Sequence, residues 1–203
     1  DPEPNVRAAV LKQWAEHPTP QLLIPLKKYV SAEQDADLLV HAVRVLRALK
    51  AGSSPILISL FGHKAWQVRA EAAEALAEIL NDHGGEFSGG DGAERKADAY
   101  AAFLNLLDDD DGFVVSRAVE GLRRAELPAA AKPLLALAEA NPELTPTVVT
   151  IVAESNVYRR ASATKLLKYT KHESPAVRAA AVAGIAQDLE IECEPELVAC
   201  WAG

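Results

Sequence analysis

The chain has 203 residues, 29 of them acidic and 21 basic, giving a formal charge of −8. A carboxylate excess of this size argues against a protein that coats nucleic acid, because phosphate affinity comes from Lys and Arg releasing counterions. Ala supplies 38 residues and aromatics only 5%, while 49% of the chain is hydrophobic; this excludes a disordered chain and favours helices packed closely through small side chains.

The helices announce themselves as a repeat. A segment that begins at Val6 recurs from Leu38, Val68, Val114, Val148 and Val177, at offsets of 32, 30, 46, 34 and 29 residues. Four residues after each start stand Val10, Ala42, Ala72, Ala118, Val152 and Ala181, all small and apolar. Eight after stand Trp14, Leu46, Leu76, Leu122, Asn156 and Ile185, of which only Asn156 is polar. Spacings of four and eight lie on one stripe of a helix, so Trp14 is expected in the core. Two residues before each start stand Pro4, Ala36, Trp66, Gly112, Pro146 and Pro175; Pro fits the first helical turn, where no donor is lost. Five before stand Asp1, Glu33, His63, Asp109, Glu143 and His172, polar residues suited to a turn.

These six B helices alternate with apolar A helices. In chain order the A helices are expected at residues 21–30, 55–61, 94–107, 129–140 and 157–170, with another from Pro195 to the end. Pro25 and Pro133 fall inside two of them and predict bends. The chain is therefore expected to be a run of A/B hairpins of about 30 residues, each burying its stripes only by stacking on its neighbours. Residues 1–203 read as a single repeat domain. With no Met anywhere, that domain is expected to be a fragment of a longer chain, monomeric as it stands.

The 46-residue offset marks an insertion at residues 81–94, where five of the 11 glycines lie between Gly84 and Gly92. Solenoid insertions map to surface loops. This one reads as a passive linker or as a partner-binding loop anchored by Phe87.

The pattern resembles the HEAT-repeat family. The resemblance rests on Asp1-Pro2-Glu3-Pro4-Asn5-Val6-Arg7-Ala8-Ala9, on Val68-Arg69-Ala70-Glu71-Ala72-Ala73-Glu74-Ala75-Leu76 and on Ser174-Pro175-Ala176-Val177-Arg178-Ala179-Ala180-Ala181. The short Ala-rich units look most like the subclass named after phycobilisome lyases. The resemblance implies an all-α fold, a right-handed α-solenoid or α–α superhelix of stacked HEAT-like hairpins. It also implies a ladder in which the Arg after the first Val pairs with a turn Asp of a neighbouring unit. Here that ladder is expected to be incomplete, since Arg7, Arg69 and Arg178 carry the Arg while Leu39, Val115 and Val149 replace it.

Catalytic signatures are sparse. Asp108-Asp109-Asp110-Asp111-Gly112 invites a calcium reading, but the twelfth position is Val119 where a calcium loop needs Glu; a helix N-terminus explains the run better. The histidines are His17, His41, His63, His83 and His172. Resemblance to iron-dependent HEAT-repeat hydroxylases would require several His-Glu pairs, and only His172-Glu173 is present. No Gly-x-Ser-x-Gly elbow occurs, and Cys193 and Cys200 have no His nearby in sequence. Two cysteines make neither a disulfide framework nor a zinc site. No cofactor or metal is expected.

In the family the B helices line the concave surface, which implies a binding face here. Positions three, six and ten after each start point away from the core stripe. They include Lys12, His41 and Arg44, with Arg47 beside them, then Glu71, Glu74 and Glu78, then Arg117, Glu120 and Arg124, with Arg123 adjacent. Such a strip reads either as a solvated face of salt bridges or as a charge pattern matched to a partner. The glutamates interrupt any basic track of the kind HEAT-like DNA glycosylases use. Trp66 stands in a turn column and reads as an interface anchor or as cover for a neighbouring unit.

The expected function is a non-catalytic scaffold binding a protein or peptide, through candidate residues Lys12, Arg44, Trp66, Glu71, Glu74, Glu78, Phe87, Arg117 and Arg124. The alternatives are an enzyme of the phycobilin-lyase type and a structural spacer. Neither nucleic acid nor a membrane is an expected partner, since no apolar run reaches the roughly 18 residues of a span. The segment Asp1-Pro2-Glu3-Pro4 carries no signal-peptide pattern. The expected compartment is the cytoplasm, a removed signal peptide being the alternative.

Overall fold

In the computed structural model, which describes residues 2–81, 90–125 and 127–187, the predicted hairpins are present and no strand occurs among the described residues. The chain divides into two compact units, Asp1–Ala125 and Glu126–Gly203. Each is all-α and built of packed hairpins, the arrangement of an α-solenoid.

In the first unit the B helices are α1 (Pro4–Glu16), α3 (Ala36–Ala48), α5 (Trp66–Asn81) and α7 (Gly112–Ala125). The A helices are α2 (Leu23–Ala32), α4 (Ser54–Ser59) and α6 (Gly90–Leu106). Each B helix lies against the next, α1 on α3, α3 on α5 and α5 on α7, and each A helix packs on the B helix that follows it. In the second unit α8 (Ala131–Ala140) and α10 (Asn156–Tyr169) pack on α9 (Thr145–Glu154), which lies against α11 (Pro175–Gln187). The predicted helix from Pro195, the two cysteines and Phe87 lie outside the described residues.

The caps follow from side-chain chemistry. Asp35 accepts the backbone N–H groups of Asp37 and Leu38 at 2.9 and 3.2 Å and so starts α3. Asp111 does the same for Phe113 and Val114 at the start of α7, at 2.9 and 3.3 Å, so the aspartate run serves as a cap. Pro4 and Pro175 open α1 and α11. Pro25 and Pro133 each stand third in an α-helix that is entered through a 3₁₀ turn, at Pro20–Leu22 and Pro128–Ala130. The expected bend is thus a 3₁₀-to-α junction, which spares the missing N–H an α partner. α6 begins at Gly90, four residues ahead of expectation. Once a helix is nucleated each further residue adds a hydrogen bond, so part of the predicted 81–94 loop is helical.

The column residues form the core from the second B helix onward. Leu38, Val68, Val114, Val148 and Val177 are buried, as are Ala42, Ala72, Ala118, Val152 and Ala181, and Leu46, Leu76 and Leu122. Three columns depart from expectation. In α1, which follows no A helix in this sequence, Val6 and Val10 are exposed, Leu11 is buried instead and Trp14 is only half-buried. Asn156 is exposed because α9 stops at Glu154; Ser155 then caps α10, its Oγ accepting from the Tyr158 N–H at 3.3 Å. Ile185 is half-buried.

In the second unit α11 meets α9 backbone to backbone at Gly184. A Cβ added there would stand 2.7 Å from the Ala153 Cβ and 2.9 Å from its Cα. In a free helix Gly→Ala gains about 1 kcal/mol. Here the neighbouring backbone must retreat, so Gly184→Ala is expected to destabilise by about 1–3 kcal/mol. The measurement is the urea midpoint, which should fall at an unchanged slope.

Candidate functional site

The exposed face of α3, α5 and α7 is built from the positions that turn away from the core stripe. On α5 these are Glu71, Glu74 and Glu78, each engaged by an arginine of an adjacent helix. Arg47 from α3 reaches Glu71 at 3.1 Å and both carboxylate oxygens of Glu78 at 3.1 and 3.2 Å. Arg44 approaches Glu71 at 3.8 Å. Arg117 from α7 approaches Glu74 at 3.5 Å. Within α7, Glu120 takes Arg123 at 2.6 Å and Arg124 at 3.0 Å, and these hydrogen bonds hold its carboxyl below the usual carboxylate range. All nine of these groups are therefore tied across or along helices. Lys12 is exposed on α1.

A second feature stands at the N-terminal ends of α5 and α7. Trp66 is 41% exposed and Phe113 48% exposed, and their rings meet edge to face with centroids 5.5 Å apart. Arg117, one turn along α7, lays its guanidinium over the Phe113 ring at 4.7 Å. Trp66 thus touches the neighbouring hairpin through Phe113 and stays partly open to water. Phe113 escaped the sequence reading, although the signal was there. The residue before each start is Asn5, Asp37, Gln67, Phe113, Thr147 or Ala176, so Phe113 is the one large apolar side chain in its column.

The turns beneath this pair are held by the expected ladder. Arg69 donates to both oxygens of Asp109, at 2.6 and 2.7 Å, and to the carbonyl oxygens of His63 and Lys64 at 2.9 and 3.3 Å. The Asp109 oxygen also accepts the Asp111 N–H at 2.9 Å. Arg7 approaches Glu33 at 3.3 Å in the same register, and Arg178 binds the carbonyls of His172 and Glu173 in its own turn, both at 2.8 Å. Where the Arg is replaced at Leu39 and Val149, the facing turn position of the next unit is His63 or His172. Each of those accepts a backbone N–H on Nδ1 at 3.1 Å, from Ala65 and Ser174. The ladder is incomplete, and histidines cap two of the turns it skips.

Among the described residues no group of three or more His, Cys, Asp and Glu is placed to hold a metal ion. A groove of about 360 Å³ between α4 and α6 is lined by Ser54, Ile58, Arg95, Asp98 and Ala101 among others. Among the described residues its lining holds one carboxylate, Asp98, and no His or Cys. No described helix is long and apolar enough to cross a membrane.

Residues 54–83, which span α4 and α5, match the family model described as HEAT repeat. No curated protein matches the chain.

Proposed function

Since this chain belongs to the HEAT-repeat superfamily, we propose that it is a non-catalytic scaffold that binds a protein or peptide on the exposed B-helix face of its first unit. The observation that carries the reading is the exposed Trp66–Phe113 pair. Two large aromatics left in water on an otherwise charged face carry an apolar penalty unless something covers them, and aromatic and arginine side chains dominate binding energy at interfaces. HEAT repeats are in general scaffolds of this kind. The Arg–Glu row beside the pair supplies a polar rim whose charges are already positioned by one another, so little side-chain entropy is lost on contact.

The test is a selection from a phage-displayed random peptide library against the whole chain and against Trp66→Ala/Phe113→Ala in parallel. The expected result is a peptide consensus enriched on the native chain and at least tenfold weaker on the double variant, about 1.4 kcal/mol. Enrichment of the same peptides on both proteins would move the binding face elsewhere, and no consensus on either would count against a peptide-binding scaffold.

A further inference from the structure

The Trp66–Phe113 pair does not sit on a neutral background, and its charge surroundings select among partners. Arg69, one turn after Trp66, is spent on Asp109, and Arg117 is shared between the Phe113 ring and Glu74. Asp111 caps α7, accepting the Phe113 N–H at 2.9 Å. Asp108 and Asp110 are exposed in the same turn, and Lys64, two residues before Trp66, is exposed as well. Once the pairs are set against each other, three carboxylates face one ammonium. The chain as a whole carries −8. Local and global charge therefore have the same sign, and both draw a cation toward this end of the face. The rings suit the same cation. Trp has the most favourable aromatic face for a guanidinium or ammonium group, and Arg117 on Phe113 already shows that this cluster holds such a contact at 4.7 Å.

We propose that the Trp66–Phe113 platform and the 108–111 turn form a docking site for a basic linear segment of another protein, one Lys or Arg stacking on Trp66 with its charge toward Asp108 and Asp110. An acidic segment would meet these carboxylates instead and would have to displace Glu74 or Glu120 from their arginines. The inference rests on the interaction reading above and adds the chemistry of the partner.

The experiment uses the whole chain and two synthetic 12-residue peptides, one with Arg and Lys spaced by Gly and Ser, the other with Glu and Asp in their place. Binding is followed by titration at low and physiological salt and by the indole N–H resonance of Trp66, identified by its loss in Trp66→Phe. The basic peptide is expected to bind and to shift that resonance. Trp66→Ala and, separately, Asp108→Asn/Asp110→Asn are each expected to weaken it at least fivefold, while the acidic peptide does not bind. Trp66→Phe should keep most of the affinity. If the basic peptide binds Trp66→Ala as well as the native chain, or leaves the indole resonance unmoved, the attraction is diffuse charge and the site is overturned. If the acidic peptide is preferred, the proposal fails as well. In either case a library consensus lost in Trp66→Ala/Phe113→Ala would keep the scaffold reading standing without this site, and an empty selection would remove both.

Discussion

Phe103→Ala is expected to destabilise the first unit by about 3–5 kcal/mol, the usual cost of emptying a buried phenylalanine site. Phe103 on α6 is wholly buried and its ring lies 5.5 Å, centroid to centroid, from that of Phe61 in the preceding hairpin. On its other side it faces α7 at Gly121, where an added Cβ would come within 2.4 Å of the ring. One side chain therefore joins three successive segments of the stack. The glycine explains how: in mid-helix it costs about 1 kcal/mol against Ala, and what it returns is the space for the ring. Gly121→Ala is accordingly expected to destabilise in spite of its better helix propensity. In the double variant Phe103→Leu/Gly121→Ala, the smaller side chain vacates that space, so the loss should be less than the sum of the singles. Urea unfolding of Phe103→Ala, Phe103→Leu, Gly121→Ala and the double variant reads all of this. A cost below about 1 kcal/mol for Phe103→Ala would mean that the ring is not what holds these hairpins together.

The stripes of α3, α5 and α7 were legible because two columns of small and large apolar residues recur at helical spacing, and burial follows that spacing whatever the loops do. The same arithmetic failed on α1. Periodicity identifies which face of a helix is apolar but not whether a neighbour covers it, so Val6 and Val10 fit the column and are exposed nonetheless. It failed again at Asn156, where Ser155 ends one helix and caps the next within a single residue. The candidate face was half legible. Spacing placed Glu71, Glu74, Glu78 and Arg117 on one strip, but which arginine answers which glutamate depends on the offset between adjacent helices, and no single-helix pattern carries that. Arg47 lies one position off the columns, yet it bridges two of the three glutamates. Phe113 is not legible from the recurring columns, because it is a departure from its column rather than part of the recurrence.

Arg69→Ala is expected to cost about 3 kcal/mol, toward the lower end of what breaking a buried ion pair costs. Both partners are about nine-tenths buried, with side-chain exposures of 13% for Arg69 and 9% for Asp109. The truncation leaves the Asp109 carboxylate without its main donor and frees the carbonyls of His63 and Lys64. Arg69→Lys should recover little of the loss, because one ammonium cannot reproduce a two-pronged contact and the carbonyl bonds together. The pair also sets an acid limit. The guanidinium of Arg69 hydrogen-bonds the Asp109 carboxyl and holds its pKa below the ordinary value of 3.8. A carboxylate depressed on folding contributes stability that is fully present above its unfolded pKa of about 3.9 and is lost as the pH falls through the folded value. The native chain is therefore expected to lose stability from about pH 4 downward, beyond what its other carboxylates contribute. Asp109→Asn keeps an oxygen acceptor for the Asp111 N–H but has no charge to lose. Its unfolding free energy should be lower at pH 7 and fall less steeply over that acid range, and parallel curves for the two proteins would show that the Arg69–Asp109 bond does not tie these hairpins together.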